Sequence, residues 1–215
     1  MNKTPINPIN NRIVREIISG KEEINYTKQM TKDNEDVTGS YNKIIGNLNA
    51  MTLRKYIINI INYHGLGYGV SEINAFVSGC PVEWDLIIVK ENAIGNNNVY
   101  KAEDVAALVE FKMSGLTGTQ FKNIKQTFHT QFNYLTDIRS RANRMIPFCY
   151  ITFAETPSYF TKTKEYFDEM NGINDTAFAF INYSTLQNSN KKDFFDECND
   201  FESFLYGILS INKIR

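Results

Sequence analysis

The sequence predicts an α/β protein built on a central mixed β-sheet of about five strands flanked by helices. Two periodicities alternate along the chain: short apolar, β-branched runs, and longer segments whose apolar residues recur every three or four positions. The runs at Val82–Val89, Ala106–Lys112 and Ile146–Ala154 are apolar at most positions, as expected of strands covered on both faces. The order α, β, β, β, α, β, α, β, α groups three strands as a meander. A right-handed helical crossover should then lead into a parallel strand.

Residues 1–36 read as an N-terminal helical arm or appendage, and residues 37–215 as one domain. In the arm, Arg12–Ile18 fits a short helix ended by Gly20, while Lys21–Asp36 is charged and only weakly periodic. From Val37 to Tyr63, Ile44, Ile45, Leu48, Met51, Leu53, Tyr56, Ile57, Ile60 and Ile61 keep helical spacing, and His64-Gly65-Leu66-Gly67 supplies the stop. Tyr68–Val77 alternates as a first strand and Val82–Val89 forms the second. Lys90–Asp104 is a projecting loop with turn residues at Gly95–Asn98 and a short extended piece at Val99–Tyr100. Ala106–Lys112 is the third strand.

A second amphipathic helix carries Phe121, Ile124, Phe128, Phe132, Leu135 and Ile138 on its buried stripe and is followed by a basic tail, Arg139, Arg141 and Arg144. Ile146–Ala154 is a buried strand parallel to the third. A helix at Tyr159–Met170, a fifth strand at Thr176–Tyr183 and a terminal helix at Asp193–Leu209 complete the chain.

A chain of 215 residues, 42% hydrophobic, can bury one good core, and its formal charge of −1 confines any nucleic-acid surface to a local patch. Three cysteines without a Cys-x-x-Cys pair argue against a disulfide framework and against a zinc site, so reduced thiols are expected. No apolar stretch is long enough for a membrane span and the N-terminus has no secretory apolar region. A cytoplasmic protein with no membrane partner is expected. Two histidines, His64 and His129, leave little material for histidine-metal or Ser/His/Asp chemistry, and His64 reads as a helix-end residue.

Three charges stand where buried strands should have none: Asp85 in the second strand, Glu110 and Lys112 in the third. Strand alternation puts Glu110 and Lys112 on one face with Leu108, and Phe111 on the other; Asp85 shares its face with Ile87 and Val89. Antiparallel pairing of the two strands would bring two carboxylates and one amine together at a sheet end. A buried ion pair of Lys112 with one acid is the structural alternative. It leaves the second carboxylate uncompensated, at a cost of several kcal/mol.

This Asp, Glu-x-Lys constellation on successive strands, in this order of elements, resembles the PD-(D/E)XK superfamily of restriction-endonuclease-like nucleases over roughly residues 37–155. The sequence departs from the family pattern in having Trp84, not Pro, before Asp85. The resemblance implies a restriction-endonuclease-like αβββαβ core with N- and C-terminal helical additions. It also implies that Asp85, Glu110 and the backbone carbonyl of Phe111 hold Mg²⁺, with Mn²⁺ as a substitute, while Lys112 orients or deprotonates the attacking water. A further acid is often present in the family. Glu72 is the nearest candidate, with Glu35 and Glu83 behind it, and Glu103 and Asp104 read as solvated loop acids. Lys122, Lys125 and His129, flanking the buried stripe of the second helix, stand where relatives contact the nucleic-acid backbone, and Arg139, Arg141 and Arg144 are further candidates for phosphate contacts; Gln131 and Tyr134 resemble the Gln-x-x-x-Tyr motif of the RecB-like branch but stand three apart, not four, so that motif is not carried over. DNA is the expected partner, RNA less so, and a homodimer would provide two sites for two strands. The implied activity is a magnesium-dependent nuclease, restriction-like or engaged in phage or mobile-element conflict. The alternative is an inactive nucleic-acid-binding or protein-assembly module of the same fold.

Overall fold

The computed structural model describes residues 38–112, 118–154, 176–182 and 201–211, together with Glu16, Ser19, Gly20, Glu22, Glu23, Tyr26 and Gln29. Its elements are α1 (Thr38–Tyr63), β1 (Tyr68–Val70), β2 (Ala75–Val77), β3 (Glu83–Trp84), β4 (Leu86–Lys90), β5 (Val99–Tyr100), a 3₁₀ turn (Ala102–Asp104), β6 (Val105–Lys112), α2 (Gly118–Ala142), β7 (Phe148–Ala154), β8 (Thr176–Asn182) and α3 (Phe201–Ile211). Five strands form one sheet in the order β1-β4-β6-β7-β8, and three form a second in the order β3-β2-β5. In the large sheet β1, β4 and β6 are antiparallel neighbours, while β7 and β8 continue from β6 in parallel. The chain is α/β with mixed sheets, and β6 is its central strand.

Each face of the large sheet is covered. Leu53, Ile57, Ile60 and Ile61 of α1 and Leu205, Ile208 and Leu209 of α3 pack with Leu86, Ile88, Val109 and Phe111 on one face. On the other, Phe132, Leu135 and Ile138 of α2 pack with Ile87, Val89, Leu108 and Phe148, closed off by Ala75, Val77 and Trp84 of the small sheet. Neighbouring strand residues fall into opposite clusters because strand side chains alternate, so nearly every residue of β4 and β6 must be apolar. Trp84 is fully buried and meets Phe148 edge to face at 5.6 Å between ring centroids.

The expected first and second strands are each divided between the two sheets. Tyr68–Val77 breaks at Ser71–Asn74, so that Tyr68–Val70 joins the large sheet and Ala75–Val77 the small one. Local polar groups make the break. Ser71 Oγ accepts the Ile87 N–H at 2.8 Å and donates to the Glu72 carbonyl at 2.7 Å, Asn74 takes a left-handed φ of 59°, and the Asn98 amide donates to the carbonyls of Ile73 and Asn74. Likewise Val82–Val89 becomes Glu83–Trp84 in the small sheet and Leu86–Lys90 in the large one, with Asp85 at the bend between them. Val99–Tyr100 is extended as expected and adds to β2 in parallel.

α1 stops where expected, with Gly65 and Gly67 at φ of 57° and 68°, a conformation that glycine adopts without steric cost. Gly20 does not end a helix. It is itself helical, as are Glu22, Glu23, Tyr26 and Gln29 beyond it, because a glycine disfavours a helix by only about 1 kcal/mol. β7 and β8 match the expected fourth and fifth strands, and β7 is parallel to β6. The terminal helix is described over Phe201–Ile211, reaching past Leu209. Residues 193–200 and the helix expected at Tyr159–Met170 lie outside the described residues.

Candidate active site

Antiparallel register pairs Leu86 with Val109, which carries the preceding residue, Asp85, to the level where β6 reaches Glu110. Asp85 sits where the chain passes from one sheet to the other, so its backbone leaves the β4 ladder. The Asp85 carbonyl accepts from Asn74 N–H at 3.1 Å, and its carboxylate takes over on the β6 side, with Oδ2 accepting the Phe111 N–H at 2.7 Å. A carboxylate in place of a ladder carbonyl makes a charge-assisted bond and holds its oxygens against the end of β6. The bend that interrupts the second strand is thus what aims Asp85 at the strand bearing Glu110.

Glu110 is 5% exposed, while Asp85 is half-buried. Phe111 belongs to the core under α1 and Leu108 to the core under α2, so the faces follow the alternation expected of β6. Lys112 is the last residue of β6, opposite Thr152 of β7; its side chain lies outside the described residues. Register and the bond from Phe111 N–H thus bring Asp85 to the level of Glu110 and the Phe111 backbone, with Lys112 next in the chain.

Glu72 is held elsewhere. Its exposed carboxylate pairs with Arg54 of α1 at 2.6 Å, and Arg54 Nε donates to the Ser71 carbonyl at 2.6 Å. α1 contains no acidic residue, so that helix adds no further carboxylate. Glu83 is exposed on β3, and Glu103 and Asp104 lie in the turn before β6, at the opposite end of that strand from Glu110. Glu35, and the side chains of Lys122, Lys125 and His129 on α2, lie outside the described residues.

The arginines in the last turn of α2 and just beyond it are engaged by the fold. Arg139 Nε donates to the Ile146 carbonyl at 2.9 Å, Arg141 pairs with Asp137 and donates to the Ser78 carbonyl, and Arg144 donates to the carbonyls of Glu103 and Val105. His64 follows α1 directly, its ring lying 5.0 Å from that of Tyr63 and 4.8 Å from that of Tyr206 on α3, as a helix-end residue. Cys80 and Cys149 are free and buried, and burial pushes the Cys149 thiol up to about 12, which leaves it an inert packing group. Cys198 lies outside the described residues.

Among the described residues no group of three or more His, Cys, Asp and Glu side chains forms a metal cluster. What the end of β6 offers is two carboxylates and a main-chain carbonyl. All are hard oxygen donors, a set that suits Mg²⁺, which takes few protein ligands and keeps several waters. No helix among the described residues is long and apolar enough to cross a membrane. Sequence reasoning assigned nothing to Gln131, which is buried on α2. The available signal was a polar residue set inside an otherwise apolar helical stripe.

Comparison with protein-family models, curated proteins and solved structures finds no match to this chain.

Proposed function

We propose that this chain is a metal-dependent nuclease that hydrolyses DNA phosphodiester bonds, with RNA the less favoured substrate, on a restriction-endonuclease-like core. The observation that carries this reading is the bond from Phe111 N–H to the Asp85 carboxylate, in a register that sets Asp85 at the level of Glu110 near the end of β6. The order around it supports the reading: a helix, three antiparallel strands, a helix, then a parallel strand.

Asp85, Glu110 and the Phe111 carbonyl would hold Mg²⁺ or Mn²⁺. When bound, the cation supplies Lewis acidity toward a phosphate oxygen and toward water, and neutralises charge as the phosphorus expands its coordination. Lys112 places the attacking water and takes its proton while the new P–O bond forms and the bond to the leaving oxygen breaks. Its ammonium form also stabilises the transition-state charge. Lys122, Lys125 and His129 hold the neighbouring phosphates, which sets register without reading sequence.

The test is incubation of plasmid DNA, linear duplex and single-stranded RNA with Mg²⁺ or Mn²⁺, using the full chain and the variants Asp85→Ala and Lys112→Ala. Cleavage of DNA by the unmodified chain and its loss in both variants is the expected result. No cleavage of any substrate with either ion overturns the reading and leaves a binding or assembly module on the same fold.

A further inference from the structure

Asp85 stands between two strands, and its main chain is held by residues 71–74, which belong to neither sheet. Ser71 N–H donates to the Ile87 carbonyl at 2.9 Å, and Ser71 Oγ accepts the Ile87 N–H at 2.8 Å. Asn74 N–H donates to the Asp85 carbonyl at 3.1 Å, and the next residue, Ala75, pairs with Trp84 in the small sheet. This segment therefore follows the chain from Ile87 back to Trp84, with Asp85 in the middle. The carbonyls of Glu72, Ile73 and Asn74 have no ladder to join and must be satisfied in another way.

Asn98, at the end of the loop from β4 to β5, satisfies them. Its Nδ2 donates to the carbonyls of Ile73 at 2.9 Å, Asn74 at 3.2 Å and Glu72 at 3.4 Å, the last of which also accepts from Ser71 Oγ at 2.7 Å. Chemistry fixes the orientation of the amide, because the reverse would turn its oxygen on three acceptors. That oxygen is sealed and finds no partner among the described residues, so the side chain is placed for what its nitrogen does. The Asn98 carbonyl accepts from Phe76 N–H at 3.0 Å, and side chain and main chain together span Glu72 to Phe76. Asn98 holds a φ of 61°, a left-handed conformation that Asn and Gly adopt more readily than other residues. Hydrogen bonds thus lead from the Asn98 amide to Asn74, from Asn74 N–H to the Asp85 carbonyl, and from the Asp85 carboxylate to Phe111 N–H.

We infer that Asn98 is a positioning residue of the site: its amide fixes residues 72–74, which set the Asp85 carboxylate on Phe111 N–H at the level of Glu110. It acts through Asp85 and holds neither cation nor substrate. The consequence for the cation rests on the nuclease reading above, whereas the placement of Asp85 is measured without metal.

The test uses the full chain and Asn98→Gly, which removes the amide and keeps the left-handed backbone accessible. Asn98→Asp, of equal size, turns a second oxygen on the three carbonyls and is expected to act in the same direction. Asn97→Gly is the matched comparison, because exposed Asn97 holds a φ of 50° beside it. Arg144→Ala is the comparison for lost stability at the other end of β6. Exchange of single amides is followed by NMR without metal, and Mn²⁺ affinity by calorimetry. In Asn98→Gly the Phe111 N–H is expected to exchange about tenfold faster, while Leu108 N–H, bonded to the Pro147 carbonyl at 3.0 Å, changes less than about twofold. Mn²⁺ affinity is expected to fall about tenfold in Asn98→Gly and to stay unchanged in Asn97→Gly and Arg144→Ala. Phe111 exchange that is unchanged, or that rises no more than that of Leu108, overturns the inference. So does a Mn²⁺ affinity that Asn98→Gly leaves intact or that Arg144→Ala lowers as much. Selective loosening of Phe111 N–H in a chain whose parent binds no Mn²⁺ upholds the placement of Asp85 by Asn98 and overturns the nuclease reading.

Discussion

The two ends of β6 solve the same problem with opposite charges. At its beginning the carbonyls of Glu103 and Val105 are met by Arg144, with Arg139 on Ile146 beside them. At its end the N–H of Phe111 is met by the carboxylate of Asp85. The guanidinium groups at the first end donate to main-chain carbonyls. At the second end Asp85 stands at the level of the buried Glu110, where we propose that a cation binds. Charge on a side chain says little about function until its neighbours are known: the arginines of the basic tail fasten main-chain carbonyls, whereas the acids inside strands are the ones we propose for the chemistry.

The largest expected effects fall at the acidic end. Asp85→Ala removes both a carboxylate of the site and the partner of Phe111 N–H, and cleavage should drop at least about 100-fold, as when a preorganised electrostatic group is lost. Asp85→Asn separates those roles. It retains an oxygen to accept from Phe111 N–H but loses the charge, so denaturant titration should leave stability within about 1 kcal/mol while Mn²⁺ affinity collapses in calorimetry. If Asp85→Asn binds Mn²⁺ as the unmodified chain does, the two ends differ in sign only and the acidic end is structural.

At the basic end the effect should appear in stability alone. Arg144→Ala leaves two carbonyls without their charged donor and should cost about 2 kcal/mol in urea unfolding, within the range for hydrogen bonds to charged groups. The salt dependence of DNA binding should not change. A shallower salt slope would mean that Arg144 meets phosphate after all.

A smaller effect concerns Cys149, opposite Val109 of β6 on neighbouring β7. Its folded thiol titrates at about 12, whereas the unfolded thiol titrates near the ordinary value of 9.0. Above the unfolded value the unfolded state binds fewer protons, so this contribution is complete below about pH 9 and declines as pH rises toward 12. Thermal melts from about pH 8 to 11 should therefore fall less steeply for Cys149→Ala than for the parent, although its Tm at neutral pH is lower. The smallest effect is expected of Arg141→Ala. Arg141 is exposed and paired with Asp137 one turn away, and its loss should cost under about 1 kcal/mol.

The α/β class, the long helices, the parallel β7 and β8 and the faces of β6 were legible because burial on two sides imposes periods that survive in any sequence folding this way. So was the oddity of Asp85 and Glu110, since charge inside an apolar run needs no coordinates to be noticed. The arginines were not legible: whether a guanidinium meets phosphate or carbonyl depends on chain distant in sequence, Ser78 and Glu103 in this case.

By itself, then, the sequence determined which segments form helices and strands and which two acids are out of place, since both are local matters of spacing and polarity. Tertiary structure alone decided that Tyr68–Val77 and Val82–Val89 each divide between two sheets, that Glu72 is tied to Arg54, and that Asp85 turns onto Phe111. Those outcomes depend on hydrogen bonds between residues remote in the chain, Ser71 with Ile87, Asn98 with Asn74 and Phe111 with Asp85, which local periodicity cannot express.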